Sequence, residues 1–325
     1  MGKIEILEKD ISAIESDLQI TCLDIGARGG IIRDLQSIGK LINAIGFEPD
    51  PAECELLNRK VENNKVWRSL RYIPVALGAG GNGILNLYRQ RGCSSLLQAD
   101  DLLAAQFQRD EYYRLDGQVE LETIPLDKAA EKYGFEDASY IKIDIQGGEL
   151  DVFKSGDRLL ENEIFAIRTE VSFLPIYKGQ PLMWDITDHL AGKGFVPVEF
   201  PEIHKWRRTT KTKLPRLSSG NLPYSKGQLV HGDVLFFKDP NMLLSDSDQS
   251  IKRCIKGALI ATAYGYIDYA YVLLSKKNVS EYMRERYGIE VDNFLSGVSR
   301  RAAKNYRSTL LIDCISRTLK AWKRK

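Results

Sequence analysis

The chain has 325 residues, with 46 Lys and Arg against 44 Asp and Glu. Its length predicts one large domain or two ordinary ones, with a core of normal size. An apolar fraction of 43% and a charged fraction of 28% exclude a chain that is disordered or embedded in a membrane as a whole. The net charge of +2 predicts no general attraction to nucleic acid.

The five cysteines stand singly and none lies in a CxxC pair, which argues against both a zinc site and a disulfide framework. Scattered single cysteines are typical of a reducing compartment, and the N-terminus carries no apolar stretch of the secretory kind. We therefore expect a cytoplasmic protein with no bound structural metal.

The first segment, residues 1–20, is predicted to form an amphipathic helix. Apolar residues recur at helical spacing over residues 3–19, at Ile4, Leu7, Ile11, Ile14 and Leu18. Two heptads are too few for a coiled coil, and we expect the helix to pack on the following domain.

The second segment, residues 21–240, alternates apolar runs with helical patterns. Strands are predicted at 21–24, 43–47, 70–76, 84–88, 120–124, 140–145, 165–171, 195–200 and 234–238, and helices at 35–41, 53–63, 126–133, 149–160 and 184–193. This alternation predicts an α/β fold whose mostly parallel sheet is covered by helices on both faces.

The third segment, residues 241–325, is predicted to be a helical extension with a basic tail. Residues 258–274 are apolar but include Asp268, and we interpret them as a buried helix rather than a membrane span. The last 30 residues carry nine Lys and Arg against one acid, so the rest of the chain is mildly acidic. One helical face of this tail carries Leu311, Ile315, Leu319 and Trp322. Such a helix either docks on the domain or contacts an anionic membrane surface peripherally, and both interpretations stay open.

A glycine-rich turn follows the first predicted strand, with Asp24 and Gly26 ahead of Gly29 and Gly30, and Glu48 ends the second strand. Glycines permit close approach of a ligand to the backbone, and a carboxylate at this distance can bind ribose hydroxyls. The GxGxxG spacing of a dinucleotide site is not met. The pattern is better suited to S-adenosylmethionine, which has no phosphate, although a plain tight turn is an alternative.

A second candidate polar residue lies at the end of the strand predicted at 140–145. Asp144 stands at its carboxyl end, ahead of Gly147 and Gly148. Ligands of open α/β sheets bind at this edge, which favours a binding role for Asp144. The alternative is that Asp144 caps the next helix.

These residues resemble the FkbM-type S-adenosylmethionine-dependent methyltransferases. The resemblance covers about residues 21–238 and is carried by 23–30, 46–51, 75–78, 94–96, 126–127, 141–149, 170–171 and 232–236. It implies a Rossmann-like methyltransferase fold, with a seven-stranded sheet whose last strand is antiparallel. It also implies S-adenosylmethionine as cofactor and methylation of a hydroxyl, often on a sugar or a secondary metabolite.

The resemblance also implies site residues. The first loop, with Asp24, Gly26, Ala27, Arg28 and Gly30, would bind the cofactor, and Asp24, Gly26 and Gly30 would shape its methionine pocket. Glu48 would hold the ribose, Ala76 and Leu77 would lie near the adenine, and Asp144 would face the reacting end. Two positions depart from the family pattern: Arg28 replaces a common Asn, and Gln146 replaces a frequent acid.

The candidates for the base that removes the proton of the acceptor hydroxyl are Asp144, Glu170 and His204, all expected at carboxyl ends of strands. A metal-assisted reaction is the alternative if Asp144 and Glu170 converge on Mg²⁺. The loop 204–216 holds six Lys and Arg and one Trp, which suits an anionic sugar or sugar phosphate, with Trp206 against a sugar face, although a solvated loop is the alternative. If the C-terminal tail contacts a membrane, the acceptor is expected to be a lipid-linked glycan. The insertion 89–116, with Tyr112 and Tyr113, is expected to form the other wall of the acceptor site.

The sequence thus predicts an S-adenosylmethionine-dependent O-methyltransferase acting on a carbohydrate. The competing hypothesis is a non-catalytic relative that keeps the fold as a binding or assembly module. Methylation of nucleic acid is disfavoured because no Asn-Pro-Pro-aromatic element is present.

Overall fold

The structure is a computed structural model that describes residues 4–210, 212, 214 and 224–322, and only the backbone of residues 307–322. The strands are β1 Ile20–Ile25, β2 Ile42–Phe47, β3 Ser69–Ile73, β4 Ala76–Leu77, β5 Gly81–Tyr88, β6 Leu115–Ile124, β7 Ala138–Ile143, β8 Ala166–Ser172, β9 Phe195–Trp206 and β10 Gln228–Lys238. The α-helices are α1 Glu8–Ile14, α2 Pro51–Arg59, α3 Asp101–Gln106, α4 Leu126–Tyr133, α5 Glu149–Lys154, α6 Asp157–Asn162, α7 Met183–Gly192, α8 Asp248–Tyr264, α9 Ile267–Leu274, α10 Lys277–Tyr287 and α11 Val291–Trp322.

Seven strands form one sheet in the order β3-β2-β1-β7-β8-β10-β9. Neighbouring strands are parallel except for the two pairs made by β10, which runs against β8 and β9. The predicted fold class, a Rossmann-like methyltransferase sheet with an antiparallel last strand, is therefore confirmed. The strand order reverses between β1 and β7, and ligands of such sheets bind beside the carboxyl ends at this point.

A second, three-stranded sheet stands over this edge, in the order β4-β6-β5. It confirms the predicted strand pair around the insertion 89–116. The predicted third strand, residues 70–76, is in fact two strands: β3 belongs to the main sheet and β4 to the small one.

One face of the main sheet is covered by helices that connect its strands. The core on this side joins β1, β2, β7 and β8 to α4, α5, α6 and α7. These helices carry apolar residues on the face that they present to the sheet, as the alternation of strands and helices predicts.

The opposite face is covered by the C-terminal helices. The connection from β1 to β2 contains no α-helix, and the predicted helix at 35–41 is a 3₁₀ helix, Gln36–Leu41. Helix α8 fills the space, with Ala258 and Leu259 packed in one core with Cys22 and Phe237. A Cβ on Gly257 would lie 2.7 Å from the Phe165 ring, so glycine lets α8 approach the sheet closely.

Two predictions for the chain ends change in detail. Among residues 4–20, the α-helix extends over Glu8–Ile14 and is shorter than predicted, although Ile4, Ile11, Ile14 and Leu18 are buried as expected. The apolar stretch 258–274 is divided at Gly265, whose φ of +94° ends α8.

Within the described residues, no helix has the length and apolar character that crossing a membrane requires. The face with Leu311, Ile315, Leu319 and Trp322 lies outside the described side chains, so contact of the tail with a membrane surface stays a prediction.

Candidate active site

The first loop begins where β1 comes closest to the end of β7. Gly26 has φ +85°, and a Cβ there would lie 2.1 Å from the Asp144 carbonyl oxygen. The N–H groups of Gly26 and Ala27 both donate to the Phe47 carbonyl, at 3.1 and 3.0 Å. Glycine is therefore required at this position, and the loop is tied to the ends of β2 and β7.

A cleft of about 290 Å³ lies between this loop, the ends of β2 and β7, and the small sheet. Six of the predicted cofactor residues line it: Gly26, Arg28, Glu48, Ala76, Leu77 and Asp144. Leu85 of β5, Leu121 of β6 and Leu96 of the insertion close it from above. The cleft thus has polar groups at the strand ends and an apolar wall beside them.

The carboxylate of Glu48 is the buried acid of this cleft, and the residue is 4% exposed. Its Oε1 accepts from the N–H of Asp50 at 3.0 Å, which orients the group. Burial raises the pKa of Glu48 above its ordinary value, while the Asp50 N–H and the charge of Arg28 act in the opposite direction. Arg28, unusual for the family pattern, therefore lies beside an acid of the cleft and helps to keep it ionised.

Three predicted cofactor residues support the loop from behind instead of lining the cleft. Asp24 is 3% exposed, and its Oδ2 accepts from the N–H of Ile32 at 2.9 Å. Ala27 packs in a small apolar cluster under the loop, and its carbonyl accepts from the N–H of Gly30. Asp24, Ala27 and Gly30 are not among the residues that line the cleft, and their part in binding the cofactor stays a prediction.

Asp144 and Glu170 are brought together, as predicted, and Gln146 joins them. The Gln146 Nε2 donates to Asp144 Oδ1 at 2.8 Å and to Glu170 Oε2 at 2.9 Å. Its Oε1 accepts from the Tyr177 hydroxyl at 2.9 Å. Gln146 has φ +61°, an uncommon backbone conformation for a non-glycine residue. The hydrogen bonds on both ends of the amide hold the side chain between the two acids.

His231, which the sequence analysis missed, completes this group. It lies on β10 opposite Ser172 of β8, and its Nδ1 is 2.8 Å from Glu170 Oε1. Because β10 is antiparallel, its beginning reaches the edge where β7 and β8 end. The signal was present in the sequence: Val230, Gly232 and Val234 alternate with polar residues, which extends the predicted strand back to His231.

His204 is not in the predicted loop, because β9 continues to Trp206. Its Nε2 is 3.0 Å from Glu202, its side chain is 44% exposed, and its ring stacks on His231 with centroids 4.4 Å apart. The basic loop therefore begins only after Trp206, and much of it lies outside the described residues.

A divalent cation does not fit this group of acids. Asp144, Glu149 and Glu170 have oxygens within 4.8 Å of one another. However, Glu149 accepts from the N–H groups of Ile145 and Gly147, and the Gln146 Nε2 stands where a cation bridging Asp144 and Glu170 would lie. These contacts do not support a reaction step through Mg²⁺.

The insertion 89–116 forms an aromatic wall beside His231. Tyr113 is buried and packs against Tyr177 and Trp206, with centroids 5.8 and 6.2 Å apart. Tyr112 is 44% exposed and lies under the guanidinium of Arg109, which also covers Trp206 at 5.4 Å. Tyr113 is the buried one of the two tyrosines, and the role of this wall in an acceptor site stays a prediction.

Residues 24–197 match the family model described as the methyltransferase FkbM domain, which is more than half of the chain. The chain belongs to the FkbM methyltransferase family. A curated relative of this FkbM protein is the 2-O-methyltransferase NoeI of Sinorhizobium fredii (strain NBRC 101917 / NGR234), 30% identical over 188 residues that cover 55% of this chain and 74% of the relative.

Solved structures of methyltransferases also align with this FkbM protein, at low similarity. The FkbM methyltransferase of Methylobacillus flagellatus KT is 12% identical, with 72% of this chain and 48% of the other covered and a TM-score of 0.34. Magnesium protoporphyrin IX methyltransferase of Synechocystis PCC 6803, solved with bound SAM, is 8% identical, with 70% and 76% covered and a TM-score of 0.33. The strand order and directions, rather than these likenesses, establish the fold.

Proposed function

We propose that this FkbM methyltransferase uses S-adenosylmethionine to methylate a hydroxyl of a carbohydrate. The observation that carries the proposal is the oriented, buried Glu48 carboxylate in a cleft that has an apolar wall beside it. A carboxylate at the end of the second strand is suited to ribose hydroxyls. The apolar wall with Val75, Ala76 and Leu77 is suited to an adenine ring.

The cleft fits this cofactor better than a dinucleotide. Pyrophosphate is bound at the N-terminus of an α-helix that follows the first strand. In this chain the first strand is followed by turns and then by the 3₁₀ helix Gln36–Leu41. S-adenosylmethionine would supply an electrophilic methyl group on a sulfonium, and Asp144 offers a carboxylate near that positive charge.

The choice of a hydroxyl acceptor is supported by the name of the 2-O-methyltransferase relative and by the site. A histidine and a glutamate lie beside the aromatic wall, as removal of a hydroxyl proton and contact with a sugar face require. Trp206, predicted as a sugar contact, lies in this wall with Tyr113.

The acceptor is further proposed to carry an anionic group, which Arg109 would bind. Arg109 covers two aromatic rings, and no carboxylate of the described residues forms an ion pair with it. Arg208, in the basic loop, is instead engaged with Gln106 and Phe107. A guanidinium placed over aromatic rings remains able to pair with phosphate or carboxylate.

Labelled methyl transfer tests the function. The protein is incubated with methyl-tritiated S-adenosylmethionine and a panel of defined oligosaccharides and glycolipids, and mass spectrometry locates the label. We expect a methyl ether on a sugar. Binding of S-adenosylmethionine without transfer to any carbohydrate would contradict the acceptor class, and absence of binding in calorimetry would favour the non-catalytic module.

Paired neutral and phosphorylated p-nitrophenyl glycosides test the charge of the acceptor. Arg109→Gln is expected to raise KM for the phosphorylated glycoside at least tenfold and to leave KM for the neutral one within twofold. Arg114→Gln is the matched control, because Arg114 is exposed and pairs with Glu111. Equal effects on both glycosides would contradict an anion contact at Arg109.

A further inference from the structure

The candidates for a base at this site differ in what their polar atoms already bind. Both oxygens of Glu170 have protein partners, Gln146 and His231. Asp144 is engaged by Gln146, and Lys142 Nζ lies 3.9 Å from its other oxygen. The three predicted candidates, with His204 at the outer edge strand, are therefore poorly placed to take a proton from an acceptor.

We propose that His231 is the catalytic base of methyl transfer and that Glu170 and Gln146 are positioning residues. The proposal rests on the function proposed above. It deepens that function, because it assigns the proton transfer to a strand outside the matched residues 24–197.

The geometry of His231 leaves one ring nitrogen for the substrate. Its Nδ1 is committed to Glu170 Oε1 at 2.8 Å. Its side chain is 20% exposed, and Nε2 makes no hydrogen bond with the part of the chain that the structure describes. A carboxylate on Nδ1 fixes the tautomer with the proton on Nδ1, and the lone pair of Nε2 is then available.

The orientation of the ring is fixed from several sides. It stacks on His204 with an interplanar angle of 16°, and the Trp206 ring meets it edge-on at 5.8 Å. Glu170 is held in turn by Gln146, whose position depends on the Tyr177 hydroxyl. A base that is held in this way approaches the acceptor without loss of side-chain entropy in the reaction.

In the methyl-transfer step, His231 and Glu170 account for the proton that the acceptor loses. The acceptor O–H bond breaks and its proton goes to Nε2. The oxygen keeps the electron pair and forms the bond to the methyl carbon, while the sulfur keeps the pair of the broken S–C bond. Glu170 stabilises the resulting imidazolium, which returns its proton to solvent after the product leaves.

The charges around the ring determine when the base form exists. The titratable and charged groups that face His231 come from the neighbouring strands, the β7 end and the insertion: Glu170, Asp144, His204, Glu202 and Arg109. Burial lowers the pKa of His231 to about 4, and His204 acts in the same direction. Burial and the charge of Asp144 raise the pKa of Glu170 well above its usual range. We therefore expect the active pair, with Glu170 ionised and His231 neutral, to form as the pH rises.

Nitrogen-15 NMR of the histidine rings tests the pair without any acceptor. The chain has three histidines, so each signal can be assigned with one His→Gln variant. We expect the Nδ1–H tautomer for His231 at pH 9, and a shift to Nε2–H in Glu170→Ala. A proton on Nε2 of wild-type His231 at every pH between 6 and 9 would overturn the proposal, whether or not the protein transfers methyl groups.

Kinetics separate catalysis from structure, with the glycoside that is labelled in the transfer assay as acceptor. His231→Gln is expected to lower kcat at least 100-fold, to leave the Kd for S-adenosylmethionine within twofold, and to abolish the rise of rate with pH. His189→Gln, on α7, is the control, and it is expected to leave kcat, the Kd for S-adenosylmethionine and the pH dependence of the rate unchanged. A His231→Gln enzyme with kcat within tenfold of wild type and an unchanged pH profile would also overturn the proposal. Failure of the wild-type protein to transfer label would instead contradict the proposed function.

Discussion

The proposed cofactor side and the proposed acceptor side of the site are built in different ways. On the cofactor side, Gly26, Glu48 and Asp144 each lie within two residues of the end of a parallel strand and are held mainly by backbone hydrogen bonds. On the acceptor side, Glu170 and His231 come from two antiparallel strands and are held by other side chains. The backbone thus determines the first half, and a network of side chains determines the second.

Gln146 belongs to both halves. Its side-chain amide donates to Asp144 of the cofactor side and to Glu170 of the acceptor side. Its backbone carbonyl oxygen accepts from the hydroxyl of Ser95 in the insertion at 2.6 Å. We therefore expect backbone changes to damage the proposed cofactor side most. Changes of side-chain charge should act chiefly where the two sides meet.

The largest effect is expected from Gly26→Ala. A Cβ at this position would lie 2.1 Å from the Asp144 carbonyl oxygen, in addition to the strain of φ +85°. We expect a loss of about 3 kcal/mol in the free energy of unfolding, measured by chemical denaturation. Gly29→Ala is the matched control: its φ is +82° with no atom near the added Cβ, and it should cost about 1 kcal/mol. Equal losses would show that the approach of β1 to β7 is not as close as described.

Gln146→Glu is expected to cost about 2 kcal/mol at pH 8, because it replaces a shared donor by a third carboxylate beside Asp144 and Glu170. The loss should be smaller at pH 6, because burial raises the pKa of Glu170 well above its usual range and protonation of that carboxyl removes part of the repulsion. Gln108→Glu is the control, since Gln108 is exposed and has a similar φ of +58°. Thermal unfolding at both pH values measures the difference. If Gln146→Glu is as stable as Gln108→Glu at pH 8, the bridging role of Gln146 is contradicted.

Glu48→Ala is expected to weaken binding of S-adenosylmethionine more than tenfold, which corresponds to about 1.4 kcal/mol, through the loss of the ribose contact. Calorimetry measures the affinity. Glu55→Ala on α2 is the control, because Glu55 is exposed and pairs only with Arg59. An unchanged affinity in Glu48→Ala would mean that the cofactor lies elsewhere.

Glu149→Gln is expected to change the pH dependence of stability. Burial raises the pKa of Glu149 to about 7 from an ordinary 4.5. Between these values the folded protein binds more protons than the unfolded chain, so this group makes stability fall as the pH rises from 4.5 to 7, by at most about 1.4 kcal/mol per pH unit. Denaturation at several pH values should show a smaller decline in the variant than in wild type. The same slope in both proteins would contradict the raised pKa.

The sequence predicted the cofactor side more completely than the acceptor side. Glu48 and Asp144 follow apolar runs with turn residues behind them, and both lie where expected. Asp24 shows the limit of this reasoning, because periodicity places it at a strand end but does not show that its side chain points under the loop. His231 was missed because its strand begins at Gln228, six residues before the prediction.

In the layers of the fold, too, one part could be predicted from the sequence and another could not. Alternating apolar runs and helical patterns were sufficient to predict the parallel sheet, because burial on both faces imposes that pattern on each strand locally. The pattern could not show that α8 covers the sheet in the region where the β1–β2 connection lacks a helix. That contact depends on residues more than 200 positions apart, such as Asp34 and Tyr264, which are joined by a 2.8 Å hydrogen bond.

Local chemistry therefore predicted the strands, the glycine turn, the buried acid of the cleft and the family. Only the tertiary structure decided that Gln146 occupies the place of a bridging cation, that His204 lies on an edge strand, and that His231 meets Glu170. The physical reason is the separation along the chain between the residues that interact. A strand end and its turn are specified by neighbours in the chain, whereas a hydrogen-bonded pair across antiparallel strands exists only after the whole sheet has assembled.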